Sequence, residues 1–104
     1  MDNFTVSDVS DNHFIKFKDK KLDFDRVEKM RGAILENIKK EASDKFVSFD
    51  MENVDYISSP FLSMVVFVAK EERSRGKTLS IKKSKPFLKK VFKEAGIDRL
   101  VNIG

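Results

Sequence analysis

The hydrophobic period of this chain switches back and forth between the alternation of strands and the three-and-four spacing of helices, which restricts it to a layered α/β architecture. Phe4, Val6 and Val9, then Phe14, Ile15 and Phe17, form two short apolar segments separated by a polar stretch. That is the pattern of two strands joined by a hairpin-like turn. From Asp25 the spacing becomes helical, with Val27, Met30, Ile34, Leu35 and Ile38 set among Lys, Arg and Glu as far as about Lys40. Asp23 or Asp25 caps that helix. Phe46-Val47-Ser48-Phe49 suits a mostly buried pleated surface, so it reads as a central strand closed by Asp50. Thr78-Leu79-Ser80-Ile81 alternates as a further strand. Pro86 opens a helix carrying Phe87, Leu88, Val91, Phe92 and Ala95, and Gly96 stops it. Ile97, Leu100, Val101 and Ile103 pack a last short element onto the core. With 104 residues, the expectation is one α/β domain over residues 1–104. Its sheet is mixed and partly parallel, with four to five strands covered by helices.

One junction carries more chemistry than the rest. Val54-Asp55-Tyr56-Ile57 ends a strand, Ser58-Ser59 turns, and Pro60 starts a helix to Arg75. Val65-Val66-Phe67-Val68 favours a strand by composition, but the Ser-Pro start and the polar tail from Lys70 decide for helix. On its wheel Leu62, Val65, Val66 and Ala69 share one side, and Phe67 falls towards the polar side. Proline suits the first helical position, which makes Ser59 the expected N-cap. A phosphate there would sit over exposed N–H groups at the positive end of the helix dipole.

The residue inventory narrows the chemistry. The chain has no cysteine and one histidine, His13, so disulfides and thiolate metal sites are excluded and a zinc cluster is not expected. No metal or other cofactor is expected. Isolated glycines give no phosphate-cradling loop, and His13 lies far in sequence from Ser59 with no evident orienting acid, so catalysis is not expected. Asp50, Glu52 and Asp55 follow a strand closely enough to suggest Mg²⁺, yet such a cluster is commonly a solvated turn. The acidic, polar N-terminus lacks the pattern of a secretory signal, and the longest apolar run is far short of the ~20 residues that cross a bilayer. The expectation is a cytoplasmic protein.

Charge is unevenly spread. Residues 1–69 hold 10 basic and 13 acidic side chains, while residues 70–104 hold 11 and 4. Lys82, Lys83, Lys85, Lys89, Lys90 and Lys93 therefore raise a nucleic-acid or anionic-membrane binder as a rival reading. No recognition helix, arginine fork or aromatic platform accompanies them, so a solvated face is expected instead.

Several strings together resemble the STAS domain family of bacterial anti-sigma factor antagonists. Phe49-Asp50 followed by Tyr56-Ile57-Ser58-Ser59-Pro60-Phe61-Leu62-Ser63 is similar to the family's strand ending in Asp, then a hydrophobic pair and Asp-Ser-(Ser or Ala)-Gly-Leu-Gly. Leu22-Asp23 resembles the family's Leu-Asp before its first helix, and Ala95-Gly96-Ile97-Asp98-Arg99-Leu100 its closing Gly-Leu-Asp-Arg-Leu. Here Ser58 replaces the family's Asp, and Phe61 and Ser63 replace its two glycines. The resemblance implies a signalling domain that binds a partner serving as both anti-sigma factor and serine kinase, and that is released when phosphorylated. The phosphorylated serine falls on Ser59, with Ser58 the alternative. Asp23, Ser58, Phe61, Leu62 and Met64 are the candidate partner contacts. Asp23 as a helix cap, and Phe61, Met64 and Phe67 as core, are the competing readings of the same residues. A scaffold that holds its partner without any phosphorylation is the functional alternative.

Overall fold

The computed structural model describes residues 3–104 and contains a five-stranded sheet, a two-stranded sheet and three helices. Strands β1 (Phe4–Val9) and β2 (Asn12–Phe17) form an antiparallel hairpin. Ser10 in its turn takes a φ of +53°. A two-residue strand β3 (Lys21–Leu22) leads into α1 (Phe24–Glu41), and β4 (Phe46–Asp50) follows. A second two-residue strand, β5 (Tyr56–Ile57), leads into α2 (Ser59–Ser74), then β6 (Ser80–Lys82). The chain closes with α3 (Pro86–Glu94), a 3₁₀ turn at Ile97–Arg99 and β7 (Asn102–Ile103).

The main sheet runs β1-β2-β4-β6-β7, parallel throughout except for the β1–β2 hairpin. β4 is central, as its Phe-Val-Ser-Phe run requires. Each crossover, from β2 to β4, β4 to β6 and β6 to β7, moves in the same direction along the sheet. The right-handed rule for such connections then places α1, α2 and α3 on one face. Burial agrees with a two-layer arrangement. His13, Ile15 and Phe17 of β2 and Val47 and Phe49 of β4 are fully covered, whereas Asn12, Phe14 and Lys16 on the other face of β2 are half-buried.

The core is the space between that covered face and the helices. Val27, Met30, Ile34 and Ile38 of α1 fill it at the expected spacing. From α2 the buried set is Phe61, Met64, Val65, Val68, Ala69 and Glu72, so the wheel is turned relative to the expected Leu62-Val65-Val66-Ala69 side. The reason is Phe61, whose ring stands edge-on to Phe17 at 5.4 Å between centroids and 6.4 Å from Phe49. Ala95 ends α3 and Gly96 takes φ +76°, the left-handed stop that glycine accommodates without a Cβ clash. His13 is fully buried, and it does have a carboxylate partner, Asp8, which the sequence did not make evident. Its Nδ1 is 2.7 Å from Asp8 and its Nε2 2.7 Å from the Asn37 side chain, which tethers the hairpin to α1.

Candidate functional site

The Ser-Ser-Pro junction stands at the end of the small β3–β5 ladder. Lys21 pairs with Tyr56 and Leu22 with Ile57 in parallel register. Each strand is followed at once by a cap and a helix, Asp23 before α1 and Ser58 before α2. Two helix starts are thereby set side by side.

The N-cap of α2 is Ser58, which corrects the expectation that Ser59 caps it. Ser58 is extended (φ −108°, ψ 169°), Ser59 is the first helical residue and Pro60 the second. Proline is tolerated at either place because the first four N–H groups of a helix have no partner within it. The Ser58 hydroxyl turns away from the helix and donates to the Leu22 carbonyl at 2.8 Å, beside the Ser58 N–H at 3.1 Å. A carboxylate has no proton to donate, so Ser58 in place of the family's Asp ties α2 to β3 through a bond that Asp does not make.

The first turn of α2 carries no acidic side chain of its own. Phe61 and Leu62 N–H groups donate to the Ser58 carbonyl at 3.1 and 3.2 Å, the Ser58 N–H donates to Leu22 and Pro60 has none, which corrects the expectation of several exposed N–H groups under a phosphate and leaves mainly the helix dipole. At α1, by contrast, the Asp23 carboxylate accepts from the Arg26 N–H at 3.0 Å and Asp25 adds a second negative charge. The first turn of α1 complements its dipole and that of α2 does not. Ser59 is exposed at this end of α2.

The other candidate contacts divide. Asp23 is exposed but its carboxylate is used as the α1 cap. Leu62 is half-buried. Phe61 and Met64 are fully buried, which removes both from any docking surface. The large side chain that replaces the family's glycine therefore fills the core and leaves the junction uncovered. The apolar groups near the junction that do face outward are Tyr56, 48% exposed, and Phe24, 61% exposed. Sequence reasoning missed both. Tyr56 carried a signal, because it alternates with buried Ile57 along a strand. Phe24 carried a misleading one, since it lies three residues before Val27 and extends the apolar stripe of α1.

The loop between β4 and β5 is held by lysines. Lys85 donates to the carbonyls of Glu52 and Val54 at 3.0 and 3.1 Å and pairs with Asp55 at 2.8 Å. Lys16 pairs with Glu52 at 3.0 Å, and Lys83 lies 3.8 Å from Asp50. The Lys85 ammonium holds the Asp55 carboxyl below its ordinary range, and Lys16 does the same for Glu52. The three carboxylates of this turn each thus lie within reach of an ammonium group. Lys83 and Lys85 make these contacts while remaining exposed, and Lys82, Lys89, Lys90 and Lys93 are exposed as well.

Comparison with known proteins bears on this geometry. The family model described as Mlab, STAS domain matches residues 20–102, most of the chain. The chain belongs to the STAS domain family. No curated protein matches it. Among solved structures, the fold of this STAS domain superposes on an anti-sigma-factor antagonist (STAS) domain protein from Planctomyces limnophilus with a TM-score of 0.87 and 20% identity. That match covers 100% of this chain and 90% of the other. The Bacillus cell fate determinant SpoIIAA in its phosphorylated form matches with a TM-score of 0.71 at 19% identity, over 97% of this chain and 90% of that one. SpoIIAA in its unphosphorylated form gives 0.67 at 21%, over 92% and 96%. At these identities the likeness establishes the STAS fold. Among the described residues, no helix is long and apolar enough to cross a membrane.

Proposed function

We propose that this STAS domain is a cytoplasmic, non-catalytic regulator of the anti-sigma factor antagonist type. It binds an anti-sigma factor that is also a serine kinase, and it lets go once Ser59 is phosphorylated. The observation that carries the proposal is the division of labour at the junction. Ser58 takes the N-cap position with its hydroxyl engaged with Leu22 and not with the helix, and Ser59 is left exposed at a helix start that has no side-chain cap and no acidic residue in its first turn. Phosphorylation at Ser58 would first have to break the bond to Leu22, which favours Ser59 as the acceptor.

The physics of such a switch follows from two magnitudes. In the free domain, a phosphate of roughly −1.5 to −2 charge meets a positive dipole end, a contact of about 0.3–1 kcal/mol in its favour, so the fold stays intact. At a docked surface the same charge must lose its water, and an unpaired buried charge costs on the order of several kcal/mol. Each 1.4 kcal/mol is about tenfold in affinity, so release without unfolding is the consequence. Asp23, Ser58 and Leu62, with Tyr56 and Phe24 flanking them, form the surface we assign to the partner. That SpoIIAA occurs in both phosphorylated and unphosphorylated forms supports the reading.

A capture experiment tests it. The immobilised wild-type domain and its Ser59→Ala and Ser59→Asp variants are exposed to extract of the source cell, and the bound proteins are identified by mass spectrometry. A kinase-like protein retained by wild type and Ser59→Ala but lost from Ser59→Asp is the expected result. With ATP, that protein should add about 80 Da to the wild type at Ser59 and nothing to Ser59→Ala. Equal capture by all three with no added mass would leave a constitutive scaffold in its place.

A further inference from the structure

We infer that β1 is a self-association edge, and that two copies of this chain join their main sheets through antiparallel pairing of Phe4–Val9 about a two-fold axis at Val6. β1 is the outermost strand on one side of the main sheet and is six residues long. The opposite edge, β7, has two residues and offers little to a partner. Long edge strands are usually protected by charged side chains, above all lysine, by proline or by a bulge, and the one charge in β1 is Asp8. Of the 21 lysines and arginines in the chain none falls in Phe-Thr-Val-Ser-Asp-Val, and neither proline does. Val6 is 38% exposed and Val9 61%.

The hydrogen-bond pattern fixes which groups are free. Asn3 pairs with Lys18, the Lys18 N–H donating to the Asn3 carbonyl at 3.0 Å. In an antiparallel ladder bonded and non-bonded pairs alternate, so Asn3, Thr5, Ser7 and Val9 direct their backbone groups to β2. Phe4, Val6 and Asp8 direct theirs outward. A two-fold axis through Val6 sets Val6 against the partner's Val6 and Phe4 against the partner's Asp8, with every outward N–H and C=O of those three residues bonded. Thr5 then lies opposite the partner's Ser7, a favourable hydroxyl pair, and two β-branched side chains meet at the centre. An axis at Asp8 would oppose two carboxylates, and an axis at Phe4 would leave Val6 and Asp8 beyond the paired stretch. The Asp8 charge is already held by His13 at 2.7 Å and Lys45 at 3.0 Å, so it brings no unpaired charge to the seam. This self-complementarity is what favours a second copy over an unrelated extended peptide.

Sedimentation velocity of the full chain up to millimolar concentration, with two variants, tests the pairing. Wild type should shift from monomer to dimer as concentration rises. Val6→Pro removes an N–H that faces away from β2, so the hairpin ladder is kept while the dimer is lost, with an unchanged far-UV circular dichroism spectrum. Because the chain has no cysteine, Val6→Cys gives a single thiol. Two-fold related thiols at that position should be joined by a short bifunctional maleimide, whereas Lys70→Cys on the helical face should not be. A wild type that stays monomeric at the highest concentration, a dimer that survives Val6→Pro, or cross-linking equally efficient at Lys70→Cys would each overturn the inference. A peptide partner in place of a second copy would leave the wild type monomeric and so falls among the overturning results.

Discussion

Glu72 lies on the buried face of α2 with one carboxylate oxygen bonded to Arg75 at 3.0 Å and the other without a hydrogen-bond partner. Burial pushes its proton affinity up, and the Arg75 charge offsets this only in part. The folded-state pKa is raised above the unfolded one, so the folded protein binds the proton more tightly. Stability therefore falls as pH rises through the window between the two values, and the cost is fully present above it. Replacing the carboxylate by an apolar side chain of similar length removes that cost. Glu72→Met should be more stable than wild type by about 1 kcal/mol near neutral pH, a rise in Tm of roughly 4–8 °C. The gain should shrink as pH drops into the usual carboxylate range, where the wild-type group is protonated. Thermal melts across pH check both sign and trend. Nothing in the sequence marked Glu72, because in a Lys-Glu-Glu-Arg run one of the two acids faces inward and the string does not say which. Ser58 and Ser59 pose the same difficulty at the junction. Local rules located the turn, but the partner of the Ser58 hydroxyl is a carbonyl 36 residues away.

Two glycines separate intrinsic helix preference from backbone geometry at the level of elements. A Cβ added at Gly32, within α1, or at Gly96, beyond α3, would meet no atom within 4 Å, so packing is equal at both. Gly32→Ala should stabilise by about 0.5–1 kcal/mol, since alanine loses less freedom on entering a helix. Gly96→Ala should destabilise by about 1–2 kcal/mol, since its φ of +76° crowds a Cβ against the backbone. Urea unfolding of both variants, with opposite shifts in midpoint, is the expected outcome. The long helices were legible because their periodicity extends over many residues, and β4 because its Phe-Val-Ser-Phe composition suits a buried strand. The two-residue strands β3 and β5 were not recognised as a separate sheet, because two residues carry no period and these strands exist through each other. The last strand before α3 begins later than its alternation suggested, at Ser80 and not Thr78, since it pairs where β4 and β7 reach it.

For the whole molecule, connection order places every helix on one side of the main sheet and brings the starts of α1 and α2 together beyond its end. Ser59, the residue we propose as the switch, is thereby separated from the core that holds the domain folded. Phe61 and Met64 belong to that core, Ser59 to the surface, and a charge added at one need not disturb the other. The strand–helix alternation is enough to read this architecture from the sequence, but which apolar residues of α2 face inward depends on Phe17 and Phe49, contributed by distant strands. The most direct test is calorimetric titration of the captured kinase partner into wild type and Ser59→Asp, with Tm measured on the same samples. The account predicts at least a tenfold rise in Kd, about 1.4 kcal/mol or more, with Tm unchanged or slightly raised. Equal affinity for both proteins, or weakened binding accompanied by a large fall in Tm, would contradict it.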